Sequence, residues 1–339
     1  MDGIRKKLYL FNFISAHHPL LLHNTVCLDC KSYRIGGGRM KYVIHDKSET
    51  GFLKDLRIGF YGAGRVGCTL GRYFREHGLT VTGYYNRTPD KAKEAAEWTG
   101  TLAYDSPMRL IMENDVLFLT VSDGAISSVL QDLCRDPSTA DLLKGKFLIH
   151  TSGALSSEVF SGTGAYGYSI HPLYAISDRK TSYETLDRAF FTVEGDTEFL
   201  DEWVQLLGSI GLTTKPISAA EKVRYHASAV MASNLVCGLY HAAAEELAAC
   251  GFSKEEAEAA LSGLFLDNAG GIAERGVTRQ LTGPAERGDA GTVKKHLAKL
   301  EGEHKELYIS LSKQVLEIAK EKNPERDYTE LDELLNNNV

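Results

Sequence analysis

At 339 residues, with 43% hydrophobic and 24% charged residues, the chain is long for one compact core and comfortable for two, and its composition excludes a disordered or fibrous protein. The net charge of −7 argues against a nucleic-acid-binding surface, since neutralising phosphates takes clustered Lys and Arg. A small metabolite is the expected partner. The six cysteines, Cys27, Cys30, Cys68, Cys134, Cys237 and Cys250, are scattered, and four sit in apolar helical patterns where a reduced thiol acts as a small hydrophobe. A reducing cytoplasm is expected. Cys27 and Cys30 form a lone CxxC without a second pair or a His at metal spacing, so no metal site is expected.

Residues 1–39 superficially resemble a signal peptide, because Arg5-Lys6-Lys7 precedes the apolar stretch from Leu8 to Leu22. Asn12, His17, His18 and Pro19 interrupt that stretch, and no small-residue cleavage site follows, so neither secretion nor a membrane span is expected. Gly36-Gly37-Gly38-Arg39 before Met40 is what a purine-rich ribosome-binding site encodes when translated in frame. Met40 is then the expected start, and residues 1–39 a non-structural extension. Without them the chain carries 32 basic and 43 acidic residues, a net charge of −11.

Leu56-Arg57-Ile58-Gly59-Phe60-Tyr61 reads as a buried parallel strand. It leads directly into Gly62-Ala63-Gly64-Arg65-Val66-Gly67, and a helical pattern from Thr69 to His77 follows, closed by Gly78. A GxGxxG between a strand and a helix is a dinucleotide-binding fingerprint. Gly62 permits the tight turn, Gly64 lets backbone N–H groups approach the pyrophosphate, and Gly67 lets the helix pack on the strand with its N-terminus toward the anion. Ala63, Arg65 and Val66 complete the cradle. The next strand, Leu79 to Tyr85, ends in Asn86-Arg87-Thr88. NAD sites usually place a carboxylate there, whereas Arg accommodates a 2′-phosphate, so NADP is favoured; the same three residues also suit a plain turn before Pro89.

Asp115 to Val121 is the next strand, and Thr120, Val121 and Ser122 at its carboxyl end lie where cofactor and substrate meet in an open parallel sheet. Lys146 to His150 follows, ending in Thr151-Ser152-Gly153. Tyr166 to His171 and Phe190 to Glu194 add two more strands. The expected fold class is α/β: a doubly wound Rossmann domain over residues 54–196, followed by an all-α domain over 197–322 and a loose acidic tail over 323–339.

From Thr197 the period changes to 3.6. One long helix is expected from Ala219 to Cys250, stopped by Gly251; another begins at the capping box Ser253-Lys254-Glu255-Glu256 and ends near Gly276; a last runs from about Asp289 to Lys322, stopped by Asn323-Pro324. On an unbroken helix, Lys222, His226, Ser233, Asn234 and His241 fall within a stripe roughly 120° wide. Burying such groups without partners costs on the order of 1 to 3 kcal/mol each. They therefore face substrate, cofactor or another helix, or else form a satisfied polar seam; for His241 the solvated reading is preferred.

With both halves placed, the chain resembles bacterial oxidoreductases that join a Rossmann-like domain to a C-terminal helical domain of unknown function, distant relatives of pyrroline-5-carboxylate reductase, ketopantoate reductase and the 6-phosphogluconate dehydrogenase group. The resemblance rests on the loop Gly62 to Gly67 and on His150-Thr151-Ser152-Gly153-Ala154-Leu155, Ser169-Ile170-His171-Pro172-Leu173, Tyr225-His226-Ala227-Ser228-Ala229, Ser233-Asn234 and the stretch Leu281 to Asp289. It covers about residues 54 to 320. It implies NADP binding, dimerisation through the helical domain, and a site between the domains. Some relatives look like an alternative ketopantoate reductase. The better-known ketopantoate reductases place a Lys and, one turn later, an Asn on this helix, whereas here His226 follows Lys222 and Asn234 lies two turns further.

Hydride transfer to C=O or C=N needs a donor that stabilises charge developing on oxygen or nitrogen. Lys222 or His226 is the candidate proton donor, with Asn234 orienting the reacting group. Ser152 and His171, at carboxyl ends of strands, are candidates for contact with nicotinamide or substrate; His171-Pro172 also suits a rigid turn, and His150 reads as a satisfied core histidine. Arg287 suits a clamp on a substrate carboxylate, while Asp289 suits a helix cap in a plain loop. A rival of another class is a non-catalytic NADP(H)-binding sensor that uses the helical domain for partner contact. If translation starts at Met40, mass spectrometry of the native protein finds that N-terminus, and native protein beginning at Met1 would refute it.

Overall fold

A computed structural model describes residues 33–35, 38–40 and 51–337. Strands Tyr33–Ile35 (β1) and Gly38–Met40 (β2) pair antiparallel, inside a stretch expected to have no structure of its own. The rest of residues 1–39, with Cys27 and Cys30, lies outside the described residues. A short helix, Gly51–Lys54 (α1), leads into the body of the protein. The chain divides into two compact units, Met1–Ala229 and Val230–Val339.

In the first unit β3 (Arg57–Tyr61), α2 (Arg65–Glu76), β4 (Thr80–Tyr85), α3 (Pro89–Thr99), β5 (Leu102–Ala103), α4 (Pro107–Glu113), β6 (Val116–Leu119), α5 (Asp123–Arg135), α6 (Pro137–Leu143) and β7 (Phe147–His150) alternate as a doubly wound fold requires. Then come β8 (Tyr166–Leu173), β9 (Phe190–Gly195), α7 (Leu200–Ser209) and β10 (Thr213–Pro216). The eight strands line up as β10-β9-β8-β7-β6-β3-β4-β5. From β5 to β8 this is the Rossmann order 3-2-1-4-5-6, whose switch point falls between β3 and β6. Pairing is parallel from β5 to β8, antiparallel between β8 and β9, and parallel again between β9 and β10.

The central strands are apolar on both faces because both are covered. Ile58, Phe60, Val116, Phe118, Phe147 and Ile149 join one core, with Leu70 and Phe74 of α2 and Trp203 of α7. Their neighbours Tyr61, Leu117, Leu119 and Leu148 turn to the other, with Leu110, Ile126 and Leu143 of α4, α5 and α6. Period-two alternation between two apolar layers produces the continuous hydrophobic runs seen in the sequence.

Several expectations need correction. The sheet continues past residue 196: α7 and β10 extend it, and Thr213-Thr214-Lys215-Pro216 carries no apolar pattern because it is an edge strand, with a terminal proline an edge tolerates. His171 and Pro172 form no turn. They lie within β8, opposite Thr192 and Phe191 of β9, beyond the point at which β8 pairs with β7, so a residue without N–H costs no ladder bond there. The helix expected from Ala219 to Cys250 is broken: a 3₁₀ turn, Ala219–Glu221, capped by Ser218 and Glu221, precedes α8 (Lys222–Ala232), and Ser233 leaves helical geometry (φ −128°, ψ −78°) before α9 (Asn234–Ala249). The five-residue stripe therefore does not lie on one helix.

In the second unit α10 (Lys254–Arg275) starts at the expected Ser253–Glu256 capping box. Short helices α11 (Val277–Gln280) and α12 (Pro284–Arg287) follow, and the last long helix is two, α13 (Ala290–Leu297) and α14 (Gly302–Lys322). The tail expected to be loose over 323–339 is packed as far as it is described, for α15 (Thr329–Asn336) buries Leu331 and Leu335 against Val293, Leu297 and Leu316. Leu335 is fully buried, so Leu335→Ala is expected to lower stability by about 2 to 5 kcal/mol in chemical denaturation. A loss under about 0.5 kcal/mol, the usual size for a surface change, would mean the segment is not packed.

Candidate functional site

The candidate site sits at the carboxyl edge of the first unit's sheet, around the switch point. Gly62, with φ +118°, occupies a conformation that side chains avoid, and a Cβ there would stand 2.6 Å from the Thr120 carbonyl oxygen. A Cβ on Gly67 would stand 2.5 Å from both the Gly62 carbonyl oxygen and Thr120 Oγ1. Thr120 Oγ1 donates to the Gly62 carbonyl (2.8 Å), so its side chain secures the loop. Gly64 is different: a Cβ there would meet open space. As N-cap of α2 it brings no capping side chain, which leaves the first-turn amides free to receive an anion.

Around this cradle, Ala63 is buried, Val66 half-buried and Arg65 exposed, with Arg65 Nη1 donating to the Ser177 carbonyl (3.4 Å). Asn86 Oδ1 accepts from the Ala63 amide (3.3 Å) and Asn86 Nδ2 donates to the Thr88 carbonyl (3.1 Å), tying the end of β4 to the glycine loop. Arg87 and Thr88 are exposed beside it. Val121 is half-buried and Ser122 exposed just before α5. All twelve residues expected at a cofactor thus gather at the ends of β3, β4 and β6. A pyrophosphate suits this cradle, since two glycines close the turn and the third leaves clear space over the helix N-terminus.

One strand further on lies a buried polar cluster. Ser152 Oγ donates to Asp123 Oδ2 (2.6 Å) and accepts from the amides of Ala154 (3.3 Å) and Leu155 (3.0 Å). This links the turn after β7 to the start of α5, next to Ser122. Lys222, 1% exposed, donates from Nζ to Ser169 Oγ (2.6 Å) and to the Ser152 carbonyl (3.2 Å), with Glu194 Oε2 at 3.8 Å. Two hydrogen bonds and one ion pair thus surround the ammonium. Burial lowers its pKa to about 8, against the opposing pull of Glu194 and Asp123.

His171 Nδ1 lies 2.7 Å from the Tyr225 hydroxyl. Burial first, and then the charges of Lys222 and His226, lower its pKa to about 4, so the ring is neutral at pH 7. With Tyr225 donating, the ring hydrogen sits on Nε2. His226 Nδ1 is buried and has no hydrogen-bond partner among the described residues. Both rings close on Gly153, where a Cβ would stand 2.7 Å from His226 Nδ1 and 2.9 Å from His171 Nε2. His150 is fully buried in β7, its Nδ1 accepting from the Ser152 amide and its Nε2 facing the Ser156 carbonyl, each at 3.2 Å. With both nitrogens engaged and its pKa lowered to about 4, chiefly by burial, it is a structural histidine.

Four of the five expected catalytic residues, Ser152, His171, Lys222 and His226, therefore come together in the first unit. Asn234 does not join them in that unit: it opens α9 in the second, exposed, with its Oδ1 accepting from Ser233 Oγ (3.1 Å). His241 is exposed, 3.6 Å from Glu245. Arg287 is exposed, and Asp289 caps α13 by accepting from the Thr292 amide (2.9 Å). Asp123, Ser169, Glu194 and Tyr225 were missed as site residues. Glu194 had a signal, a carboxylate closing the apolar run Phe190-Phe191-Thr192-Val193, and Tyr225 had another, its place beside His226. Among the described residues no cluster of His, Cys, Asp and Glu could hold a metal ion, and no helix is long and apolar enough to cross a membrane.

Residues 57–153 match the family described as NADP oxidoreductase, coenzyme F420-dependent, and residues 189–315 match a domain of unknown function, DUF2520. Among solved structures the chain is similar to protein TM1727 from Thermotoga maritima, at 29% identity and TM-score 0.61 over 78% of this chain and 99% of that one. It shares the fold of an imine reductase from Myxococcus stipitatus in complex with NADP+ (17% identity, TM-score 0.50, 82% of this chain and 99% of that one). A pyrroline-5-carboxylate reductase from Coxiella burnetii has it too (19% identity, TM-score 0.50, 78% and 97%). No curated protein matches the chain.

The two depressed histidines make stability depend on pH. Folded His150 and His171 resist protonation down to about 4, against an ordinary value of 6.5, so the unfolded chain binds more protons between those values and stability falls as pH drops through that window. Urea midpoints are expected to fall from pH 6.5 to 4, with a shallower slope in His150→Gln. Flat midpoints across the window would contradict the assignment.

Proposed function

The chain is an NADP-dependent oxidoreductase with a Rossmann-like domain, and from that premise we propose that it transfers hydride from NADPH to the C=O or C=N of a small carboxylate-bearing metabolite, with ketopantoate (2-dehydropantoate) the first candidate. Bound NADPH supplies the hydride; this chain's own groups hold the nucleotide and manage the proton. The cradle at residues 62–67 receives the pyrophosphate and Arg87 the 2′-phosphate. His226 is the proton donor. The observation that carries this role is its buried Nδ1, which has no hydrogen-bond partner among the described residues and faces, with His171 Nε2, the turn at Gly153.

Lys222 supplies charge. Its ammonium is spent on Ser152, Ser169 and Glu194, so it favours negative charge developing nearby without releasing a proton. Ser152 holds the turn through Asp123, and His171, neutral and braced by Tyr225, offers a second hydrogen bond to the reacting atom. Asn234, at the start of α9, is the candidate to orient the substrate. The second unit leaves Leu235 and Leu239 of α9 and Leu264, Phe265, Leu266 and Ile272 of α10 exposed, an apolar extent that supports a homodimer formed through the helices. The free thiols of Cys68, Cys134, Cys237 and Cys250 support a cytoplasmic setting.

Calorimetry is expected to show NADPH binding more tightly than NADH, and Arg87→Ala to weaken NADPH alone by about 10- to 100-fold, the weight of charge-assisted hydrogen bonds. NADPH oxidation should appear with a 2-oxo acid or a cyclic imino acid, and His226→Gln should lower kcat by about 100-fold or more. Tight NADPH binding with no turnover on either class, and no effect of His226→Gln, would favour a nucleotide sensor. Sedimentation should give a dimer, dissociated by Leu239→Glu with Phe265→Glu.

A further inference from the structure

Glu194 is a buried carboxylate that appears above only as a neighbour of Lys222, with no role of its own. It is 4% exposed and stands opposite Ser169 in the β8–β9 ladder. Its Oε2 accepts from the Ser157 amide (2.9 Å) and its Oε1 from Ser157 Oγ (2.7 Å), and Lys222 Nζ lies 3.8 Å from Oε2. The ammonium it faces is bonded to the Ser152 carbonyl and to Ser169 Oγ, and Ser169 Oγ donates to that same carbonyl (3.0 Å). A single ion pair thus spans the start of α8, β8, β9 and both ends of the turn at residues 152–157.

We propose that Glu194 is a positioning residue: by keeping Lys222 protonated it fixes the Ser152-Gly153 turn against which His171 and His226 are packed. The proposal rests, for its consequence in the reaction, on the role given above to His226. Three observations support it. Burying two opposite charges costs desolvation that an apolar pair of equal volume would avoid, so what the pair uniquely provides is charge and hydrogen bonding at this turn. A neutral amine at position 222 would keep only two hydrogens for its partners, and the carbonyl of Ser152 would lose the cation that holds it. Gly153 has no room for a side chain, because a Cβ there would stand 2.7 Å from His226 Nδ1 and 2.9 Å from His171 Nε2, so the two rings pack directly on the turn.

The groups facing Lys222 are Glu194 from β9, Asp123 from α5, His150 from β7, His171 from β8 and His226 one turn along α8. Glu194 and Asp123 favour the ammonium, and Asp123 is exposed and already accepts from Ser152. Glu194 is the buried member, and its charge is screened least.

Glu194→Gln, which keeps the shape and an acceptor for Ser157 while removing the charge, decides the matter. Lys222 Nζ is followed by ¹⁵N NMR on lysine-labelled protein, assigned with Lys222→Met. Its titration should move down by about one pH unit or more in Glu194→Gln, together with changed amide shifts at Ser152 and Gly153, whether or not a substrate is in hand. With a substrate, kcat should fall by about 10- to 100-fold, the alkaline limb of the pH profile should move to lower pH, and NADPH affinity should not change. An unmoved Lys222 titration overturns the proposal even if turnover is lost, whereas a moved titration in a protein that turns nothing over leaves the coupling intact and removes the reductase reading. Should Glu194→Gln fail to fold, Glu194→Gln with Lys222→Met decides, since recovery of the fold supports the coupling and an equally unfolded double variant overturns it.

Discussion

The close approach of α2 to the ends of β3 and β6 is the constraint on which the rest of this structure depends. At Gly67 the helix backbone comes so near the Gly62 carbonyl and Thr120 Oγ1 that a single methyl would stand 2.5 Å from each. Only with no side chain at 67 and a positive φ at 62 can the helix start point straight at the crevice between β3 and β6. The direction of that helix brings free amides to the switch point, and from it follow the places of Asn86 and Arg87 on one side and of Thr120, Val121 and Ser122 on the other.

A second constraint acts one strand away and is electrostatic. The cluster around the turn after β7 brings together an ammonium, a carboxylate and three imidazoles, those of His150, His171 and His226. Desolvation first, and then the charge of Lys222, leave His150 and His171 neutral at pH 7, while Lys222 retains its proton with Glu194 at hand. Such a site separates its roles by environment. Lys222 Nζ is bonded to Ser152 and Ser169 with Glu194 at 3.8 Å, whereas His226 Nδ1 has no hydrogen-bond partner among the described residues, and that difference is the reason the proton-donor role is proposed for His226.

The legibility of each part followed its physical origin. The parallel core strands were readable to within a residue or two because both faces are buried, so every position must be apolar, and Phe60, Leu117 and Ile149 announce this wherever they stand. β10 was not readable, since Thr213 to Pro216 lie at an edge where burial exerts little pressure. The break at Ser233 was hidden by a sequence whose helical period continues through it. Likewise α15 looked polar, yet Leu331 and Leu335, four residues apart, were enough to dock it.

Sequence alone determined the strand, glycine loop and helix of the dinucleotide cradle, the expectation of NADP that rests on Arg87, and the candidacy of Ser152, His171, Lys222 and His226, because each depends on residue type at short chain separation. Tertiary structure decided which of those groups is free. Lys222 meets Ser152, Ser169 and Glu194 across separations of 70 and 53 residues and a further gap to β9. No local pattern records that Lys222 is bonded to protein on two sides, or that His226 Nδ1 is left without a partner among the described residues, since hydrogen-bond saturation and burial belong to the packed chain and not to the order of its residues.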